Sequence, residues 1–230
     1  MPTSPPPVES SITGSVEGPG TKTSSRSLRF QSLVRSFGRL PVLRGVSGEV
    51  AGGGTLLITG SNGSGKSTLL QCLAGLLAPD RGSIHWIEEG RELSAEERRQ
   101  SIGFAAPVLS FYEPLTTLEN LELFSGLRGV PPQRGQELLE RVGLPLSRPA
   151  GALSSGMAQR LRWCFALLHS PTLLLLDEPF QNLDAPGRRV GAELLQEHLD
   201  QGGMAVIASP ELDELRGISH HIRERIHLDP

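Results

Sequence analysis

Lysine is nearly missing from this 230-residue chain: of its 22 basic side chains only Lys22 and Lys66 are lysines. Cysteine is scarce too. Cys72 and Cys164 both fall on the apolar faces of expected helices, so a disulfide framework is not indicated, and buried thiols in a reducing cytoplasm are expected. Positive charge is not in excess. A formal net charge of −3 leaves no basic face of the kind that nucleic-acid binding needs. No apolar run approaches the roughly 20 residues of a membrane helix, so the chain is not expected to span a bilayer, although a partner could hold it on one. With 37% hydrophobic residues it can bury one substantial core, or one core with a small appended subdomain.

Residues 1–26 stand apart. They hold Pro5-Pro6-Pro7, several Ser, Thr and Gly, and little that could pack. They lack the basic start and apolar middle of a signal peptide, and a disordered tail before a folded domain at 27–230 is the expectation. From there short apolar runs alternate with helical patterns. Strands are expected at 28–34, 46–50, 55–59, 83–87, 102–106, 172–176, 204–208 and 222–226, with a turn at Phe37-Gly38. Helices are expected at 69–77, 94–100, within 116–141, at 154–169 and at 187–199. Ser94-x-x-Glu97 and Thr116-x-x-Glu119 are capping boxes, and Gly129, Pro131 and Pro132 interrupt the third helical stretch. This order predicts an α/β fold: a mostly parallel sheet with a small antiparallel β part and a helical subdomain at about 108–165.

The scarce lysine marks the most informative stretch, Gly60-Ser61-Asn62-Gly63-Ser64-Gly65-Lys66-Ser67-Thr68, set between an apolar strand and a helix. That context is what a phosphate-binding loop requires, since the loop's backbone N–H groups must converge on an anion. Gly60, Gly63 and Gly65 permit the backbone turns. Lys66 can reach the β- and γ-phosphates, Ser67 can ligate Mg²⁺, and the helix N-terminus adds partial positive charge. A compact ammonium suits that place better than a guanidinium. The expected ligand is a nucleotide with Mg²⁺, held on a P-loop NTPase core.

A second marker is Leu173-Leu174-Leu175-Leu176-Asp177-Glu178-Pro179. Four leucines read as a strand buried on both faces, which delivers two carboxylates to its C-terminal end, where ligands of α/β sheets bind. Asp177 would hold Mg²⁺ through water, and Glu178 would orient or deprotonate the attacking water. Taken alone, the pattern also fits a strand that ends in solvated acids. The third marker, Leu153-Ser154-Ser155-Gly156-Met157-Ala158-Gln159-Arg160, precedes the long amphipathic helix. On its own it reads first as an ordinary Ser N-cap.

Together with Asn182-Leu183-Asp184, these markers resemble, in order and spacing, the nucleotide-binding domain of ABC transporters, over roughly residues 28–228. The resemblance implies a homodimer with two shared ATP sites. Ser154, Ser155, Gly156 and Met157 would face the γ-phosphate held by the other subunit, with Ser155 and Met157 in place of the family's Gly and Gln. Phe37 would stack on adenine, although a lone Phe before Gly is also ordinary core, and Asp184 would link the two sites. Two departures are implied as well. Pro107 stands where the family has Gln, and Ser209-Pro210 where it has a His that touches the γ-phosphate. Loss of one transition-state contact of that kind costs a factor of roughly 10²–10³, so slow hydrolysis with Glu178 as the main catalytic group is expected. Ser209 could take over the missing contact.

Phe111-Tyr112-Glu113-Pro114-Leu115-Thr116-Thr117-Leu118-Glu119-Asn120-Leu121, the short cassette and Ser-Ser-Gly-Met are similar to the ATP-binding subunits of haem exporters in cytochrome c maturation. They also resemble other ABC-2-type exporters. Either reading implies integral membrane subunits on other chains, a place on the cytoplasmic side of the cell membrane, and no nucleic-acid partner. A soluble ABC ATPase is the alternative, but the long coiled-coil insertion or second cassette typical of those relatives is missing. A degenerate cassette that binds ATP without turnover would fit Pro107 and Pro210, and the retained Lys66, Asp177 and Glu178 argue against it.

Overall fold

A computed structural model describes residues 26–209 and 218–229. The tail expected at 1–26 lies outside the described residues except for Arg26, and so does Pro210. In chain order the elements are β1 (Arg26–Phe37), β2 (Leu40–Ala51), β3 (Thr55–Gly60), α1 (Lys66–Leu73), β4 (Arg81–Glu88), β5 (Arg91–Glu92), α2 (Ala95–Ser101) and β6 (Ile102–Ala105). There follow α3 (Thr117–Arg128), α4 (Gln133–Arg141), α5 (Ser155–Leu167), β7 (Leu173–Asp177), α6 (Ala185–Asp200), β8 (Met204–Ala208) and β9 (Ile222–Leu228). Among the described residues no helix is long and apolar enough to cross a membrane.

The strands form two sheets. One is antiparallel, in the order β2-β1-β4-β5; the other has five strands in the order β6-β7-β8-β3-β9, every neighbouring pair parallel. The hairpin arms β1 and β2 run for 12 residues each, well beyond the expected 28–34 and 46–50. Irregularities in their register between Phe30 and Leu33 and between Arg35 and Ser36 break the period-2 alternation that would have marked their length.

Strand geometry divides the core in two. In the parallel sheet Leu57, Leu174, Leu176, Ala205 and Ile207 face one way and pack with Leu121 of α3, Leu138 and Leu139 of α4, Leu161 and Trp163 of α5, and Leu195 of α6. Their neighbours Leu56, Ile58, Leu173, Leu175, Met204 and Val206 face the other way and pack with Leu28, Phe30 and Leu43 of the hairpin and Leu69 and Leu70 of α1. Both faces are therefore covered, which is why these strands read as continuous apolar runs. Cys72 and Cys164 are buried, unpaired thiols, one in each cluster.

Four of the described helices, α2, α3, α5 and α6, start at a capping side chain. Ser94 and Thr116 close full capping boxes with Glu97 and Glu119. Ser154 and Asp184 cap α5 and α6 by accepting from the N–H groups of Met157 and Gly187. Gly129, in the left-handed region, ends α3 before Pro131 and Pro132 allow α4 to begin.

Candidate nucleotide-binding site

Parallel strands put their C-terminal ends on one edge, and that edge carries the site. The backbone turns away from β3 at Gly60 (φ 143°), where an added Cβ would fall on the Leu228 carbonyl oxygen and lie 2.6 Å from Ser64 Oγ. At Gly65 (φ 99°) a Cβ would come 2.8 Å from Val42 Cγ1 of the hairpin. A side chain at either position would deform the loop. Lys66 opens α1, three residues earlier than expected, and folds back over the loop: its Nζ donates to the carbonyls of Gly60 at 2.8 Å and Ser61 at 2.9 Å. Only 5% of Lys66 is exposed.

The start of α1 has no side-chain cap and no acid in its first turn, so its N–H groups are left to an anion. Ser64 Oγ is buried without a hydrogen-bond partner, a second sign that the loop is shaped around a ligand's oxygens. A cavity of about 320 Å³ opens here, lined by Val42, Asn62, Gly63, Gly65, Lys66, Ser67, Thr68 and Glu178. These features fit a phosphate chain.

Two strands away, β7 delivers its carboxylates to the same edge. Asp177 is buried, and burial pushes its pKa up; a hydrogen bond from the exposed Ser67 and the charge of Lys66 pull the other way. Glu178 sits in the left-handed region (φ 49°), its N–H donating to the Ala208 carbonyl at 2.9 Å, and it lines the cavity. The buried Ser209 follows β8 between the two, its N–H donating to the Ile58 carbonyl at 3.1 Å. Among the described residues no group of three or more His, Cys, Asp or Glu could hold a metal. Ser67 and Asp177 provide two hard oxygen donors, which fits Mg²⁺ completed by phosphate oxygens and water rather than by protein alone.

Of the loop residues Asn62, Gly63, Gly65, Lys66, Ser67 and Thr68 line the cavity with Glu178, while Gly60, Ser61 and Ser64 do not; Asp177 joins the site through Ser67, and Ser209 sits beside it on Ile58 of β3. The structure does not bring Phe37 to the cavity. Phe37 ends β1 rather than sitting in the turn, is 50% exposed, and has the Arg35 guanidinium 5.1 Å from its ring centroid. Ser154, Ser155, Gly156 and Met157 do not line the cavity either. Ser154 and Ser155 are exposed at the start of α5, an added Cβ at Gly156 would lie 2.6 Å from the Asn182 carbonyl oxygen, and Met157 packs against the core. Asp184 pairs with Arg160 at 2.5 Å, which holds its carboxyl below the usual range. Pro107 is exposed beyond β6 and its carbonyl accepts from Arg162 at 3.3 Å.

Three residues that line the cavity or border Glu178 have no role assigned from the sequence. Val42 lines the cavity from the hairpin, with no motif to mark it. Gln159 and Trp163, four apart on α5, both donate to the Pro179 carbonyl, at 3.0 and 2.9 Å. Gln159 lies inside the marker Leu153–Arg160 without a role of its own there, and Trp163, one turn later, has no motif to mark it.

Comparison with known proteins agrees with this geometry. The profile of the family described as ABC transporter matches residues 43–181. The lantibiotic transport ATP-binding protein SrtF of Streptococcus pyogenes is 34% identical over 197 residues, covering 85% of each chain. The cytochrome c biogenesis ATP-binding export protein CcmA of Methylococcus capsulatus is 38% identical over 182 residues, 75% of this chain and 86% of that one. In three dimensions the chain is similar in fold to a dimeric bacterial ABC transporter cassette, with a TM-score of 0.76 at 24% identity, covering 88% of this chain and 94% of that one.

Proposed function

Because the chain belongs to the ABC transporter family, as one of its ATP-binding cassettes, we propose that it hydrolyses ATP to drive export through membrane subunits on other chains, with haem for c-type cytochromes as cargo. The observation that carries the ATP reading is the loop around Lys66 facing Glu178 across one cavity, with the buried Asp177 hydrogen-bonded to Ser67 beside it. The haem reading is supported by the 38% identity to CcmA. The 34% identity to SrtF over most of both chains supports a second reading, export of a peptide of the lantibiotic kind.

In this mechanism the loop N–H groups and Lys66 hold the β- and γ-phosphates, and Gly60, Ser61, Asn62, Gly63, Ser64, Gly65 and Thr68 shape the cradle. Ser67 and Asp177 would hold Mg²⁺, which when bound would draw charge off the phosphates. Glu178 orients the attacking water and takes its proton. Two copies close around two nucleotides, the start of α5 with Ser154, Ser155 and Gly156 meeting the partner's γ-phosphate and Asp184 lying near the seam. The dimeric cassette of similar fold supports this arrangement. Closure driven by the shared nucleotide then moves the membrane subunits. Ser209, in place of a histidine, leaves the γ-phosphate less well held, and turnover is slow.

An apolar groove of about 310 Å³, lined by Phe104, Phe111, Phe124 and Phe165 with Arg99, Arg128 and Arg162 in its wall, is where we seat the membrane subunit, on the cytoplasmic side. To test the proposal, tagged Glu178→Gln protein is purified with ATP from native membranes and its companions are identified. A multi-span subunit of cytochrome c maturation supports the haem reading, and one from peptide export moves the second reading forward. Recovery only from the soluble fraction, without a membrane partner, sinks the transport proposal.

A further inference from the structure

Glu178 occupies a left-handed backbone conformation (φ 49°) that a residue with a Cβ holds only where its surroundings over-determine it. Its own N–H is tied to Ala208, and its carbonyl accepts from the Gln181 N–H at 3.1 Å. The next carbonyl, that of Pro179, is held twice from α5. Gln159 Nε2 donates to it at 3.0 Å and Trp163 Nε1 at 2.9 Å, so both lone pairs are used. Gln159 Nε2 also lies 3.5 Å from the Glu178 carbonyl, at the outer limit of a hydrogen bond.

The orientation of the Gln159 amide is fixed by its other end. Arg162, a pure donor, gives a hydrogen bond to Gln159 Oε1 at 3.2 Å, which forces Nε2 toward the carbonyls. The same guanidinium reaches the Pro107 carbonyl at 3.3 Å and lies 5.6 Å from the Phe111 ring centroid. Gln159 and Trp163 are 3% and 1% exposed, and Trp163 packs on Phe180 with ring centroids 5.9 Å apart. The grip is therefore dry and rigid, and a hydrogen bond lost there is not replaced by water.

We propose that Gln159 and Trp163 are positioning residues for Glu178, gripping the backbone beside it so that its carboxylate faces the cavity, and that Arg162 ties this grip to the segment after β6. Neither side chain lines the cavity, so both act through Glu178. The proposal rests on the reading of Glu178 as the group that activates water. Its consequence is that α5, whose first residues are proposed to meet the partner's nucleotide, also sets the carboxylate of its own site. A tryptophan at position 163 does what an aliphatic residue could not, because only the indole brings an N–H to a carbonyl already shared with Gln159.

The test uses the full chain with Trp163→Phe, which keeps a ring but removes the N–H, and Gln159→Leu, which keeps the volume but removes the amide. Each is made alone and with Glu178→Gln. Single-turnover ATP hydrolysis is measured beside the affinity for a fluorescent ATP analogue. The expected result is a fall of about tenfold to a hundredfold in the hydrolysis rate for each single variant, with nucleotide affinity changed by less than about twofold. In the Glu178→Gln background neither substitution lowers the rate further. Wild-type rates in both single variants, or the same loss in both backgrounds, overturn the proposal. If Trp163→Phe unfolds, Gln159→Leu decides. A Glu178→Gln protein as fast as wild type overturns instead the reading of Glu178, and the positioning role falls with it.

Discussion

Replacing Lys66 tests the site where composition and geometry meet. In the nucleotide-free protein its ammonium holds two loop carbonyls at 2.8 and 2.9 Å. Loss of those contacts in Lys66→Met costs about 1–3 kcal/mol, and relief of a positive charge beside the start of α1 returns about 0.3–1 kcal/mol. The net loss of about 1–2 kcal/mol lowers the melting temperature by roughly 2–8 °C in a chain of this size. Binding changes more. A charge-assisted contact to phosphate contributes about 1.5–3 kcal/mol, so Kd for ATP rises roughly 10- to 150-fold. At an ATP concentration 100 times the wild-type Kd, wild-type protein gains about 2.7 kcal/mol of stability, and the variant gains only about 0.3–1.4 kcal/mol. Thermal melts with and without ATP read both quantities. Lys66→Arg is expected to fail as well, because a planar guanidinium does not fit a 5%-exposed slot between two carbonyls. An ATP-induced shift of wild-type size in Lys66→Arg would refute the reasoning, since charge alone would then suffice.

Three further outcomes are expected. Burial pushes the His169 pKa down to about 4, with Arg128 adding to the effect, while its Nε2–H donates to the Ile102 carbonyl at 3.0 Å. Above the unfolded value of about 6.5 both states are neutral; between there and about 4 only the unfolded chain takes the proton, so stability falls as pH drops through that window. His169→Gln, which keeps a donor, should show a shallower decline in urea midpoints over that range, and parallel curves would argue against it. Gly103→Ala should cost about 1–3 kcal/mol or more in urea unfolding, because its Cβ would strike the Ala166 carbonyl oxygen and lie 2.8 Å from Pro171 Cγ. Asp184→Ala should lose about 0.5–2 kcal/mol of stability through the uncapped start of α6, while Asp184→Asn, which still caps, stays near wild type.

What could be read from the sequence was what local chemistry determines. The loop from Gly60 to Thr68, the acids after the four leucines of β7 and the capping boxes of α2 and α3 each carry their reason within about ten residues, and the structure realises them. The hairpin was half hidden, because its irregular register disrupts the alternation by which strands are recognised. The two-residue strand β5 has no pattern at all and exists only because Arg91 and Glu92 lie opposite Glu88 and Ile87. Phe37 was assigned from its place relative to a motif, and its ring meets Arg35 rather than the cavity lining. Gln159 and Trp163 could not be found, because their partner is a backbone carbonyl 16 or more positions away, and a carbonyl has no letter in a sequence.

The two acids at the end of β7 differ in a way that stability can reveal. Asp177 is 6% exposed, and its pKa is raised by burial despite Ser67 and Lys66. A carboxyl whose folded pKa lies above its unfolded value keeps its full contribution below the unfolded pKa and loses it as pH rises through the folded one. At neutral pH the buried carboxylate therefore weighs on the nucleotide-free protein. Asp177→Asn keeps an acceptor for the Ser67 hydroxyl and cannot charge, so without nucleotide it should melt higher than wild type at about pH 7, the gap closing toward acid. With Mg²⁺ and ATP the order should reverse, since only the carboxylate supplies a strong ligand for the metal. If Asp177→Asn melts lower at neutral pH without nucleotide, Lys66 and Ser67 compensate the charge more fully than its burial opposes it. The carboxyl's folded pKa would then lie below its unfolded value, and the reasoning from burial would be refuted. If instead it melts higher in both conditions, Asp177 is not a metal ligand. The strain of burying that charge makes sense only if binding uses it, which is the pattern of a site built for its ligand rather than for the empty fold.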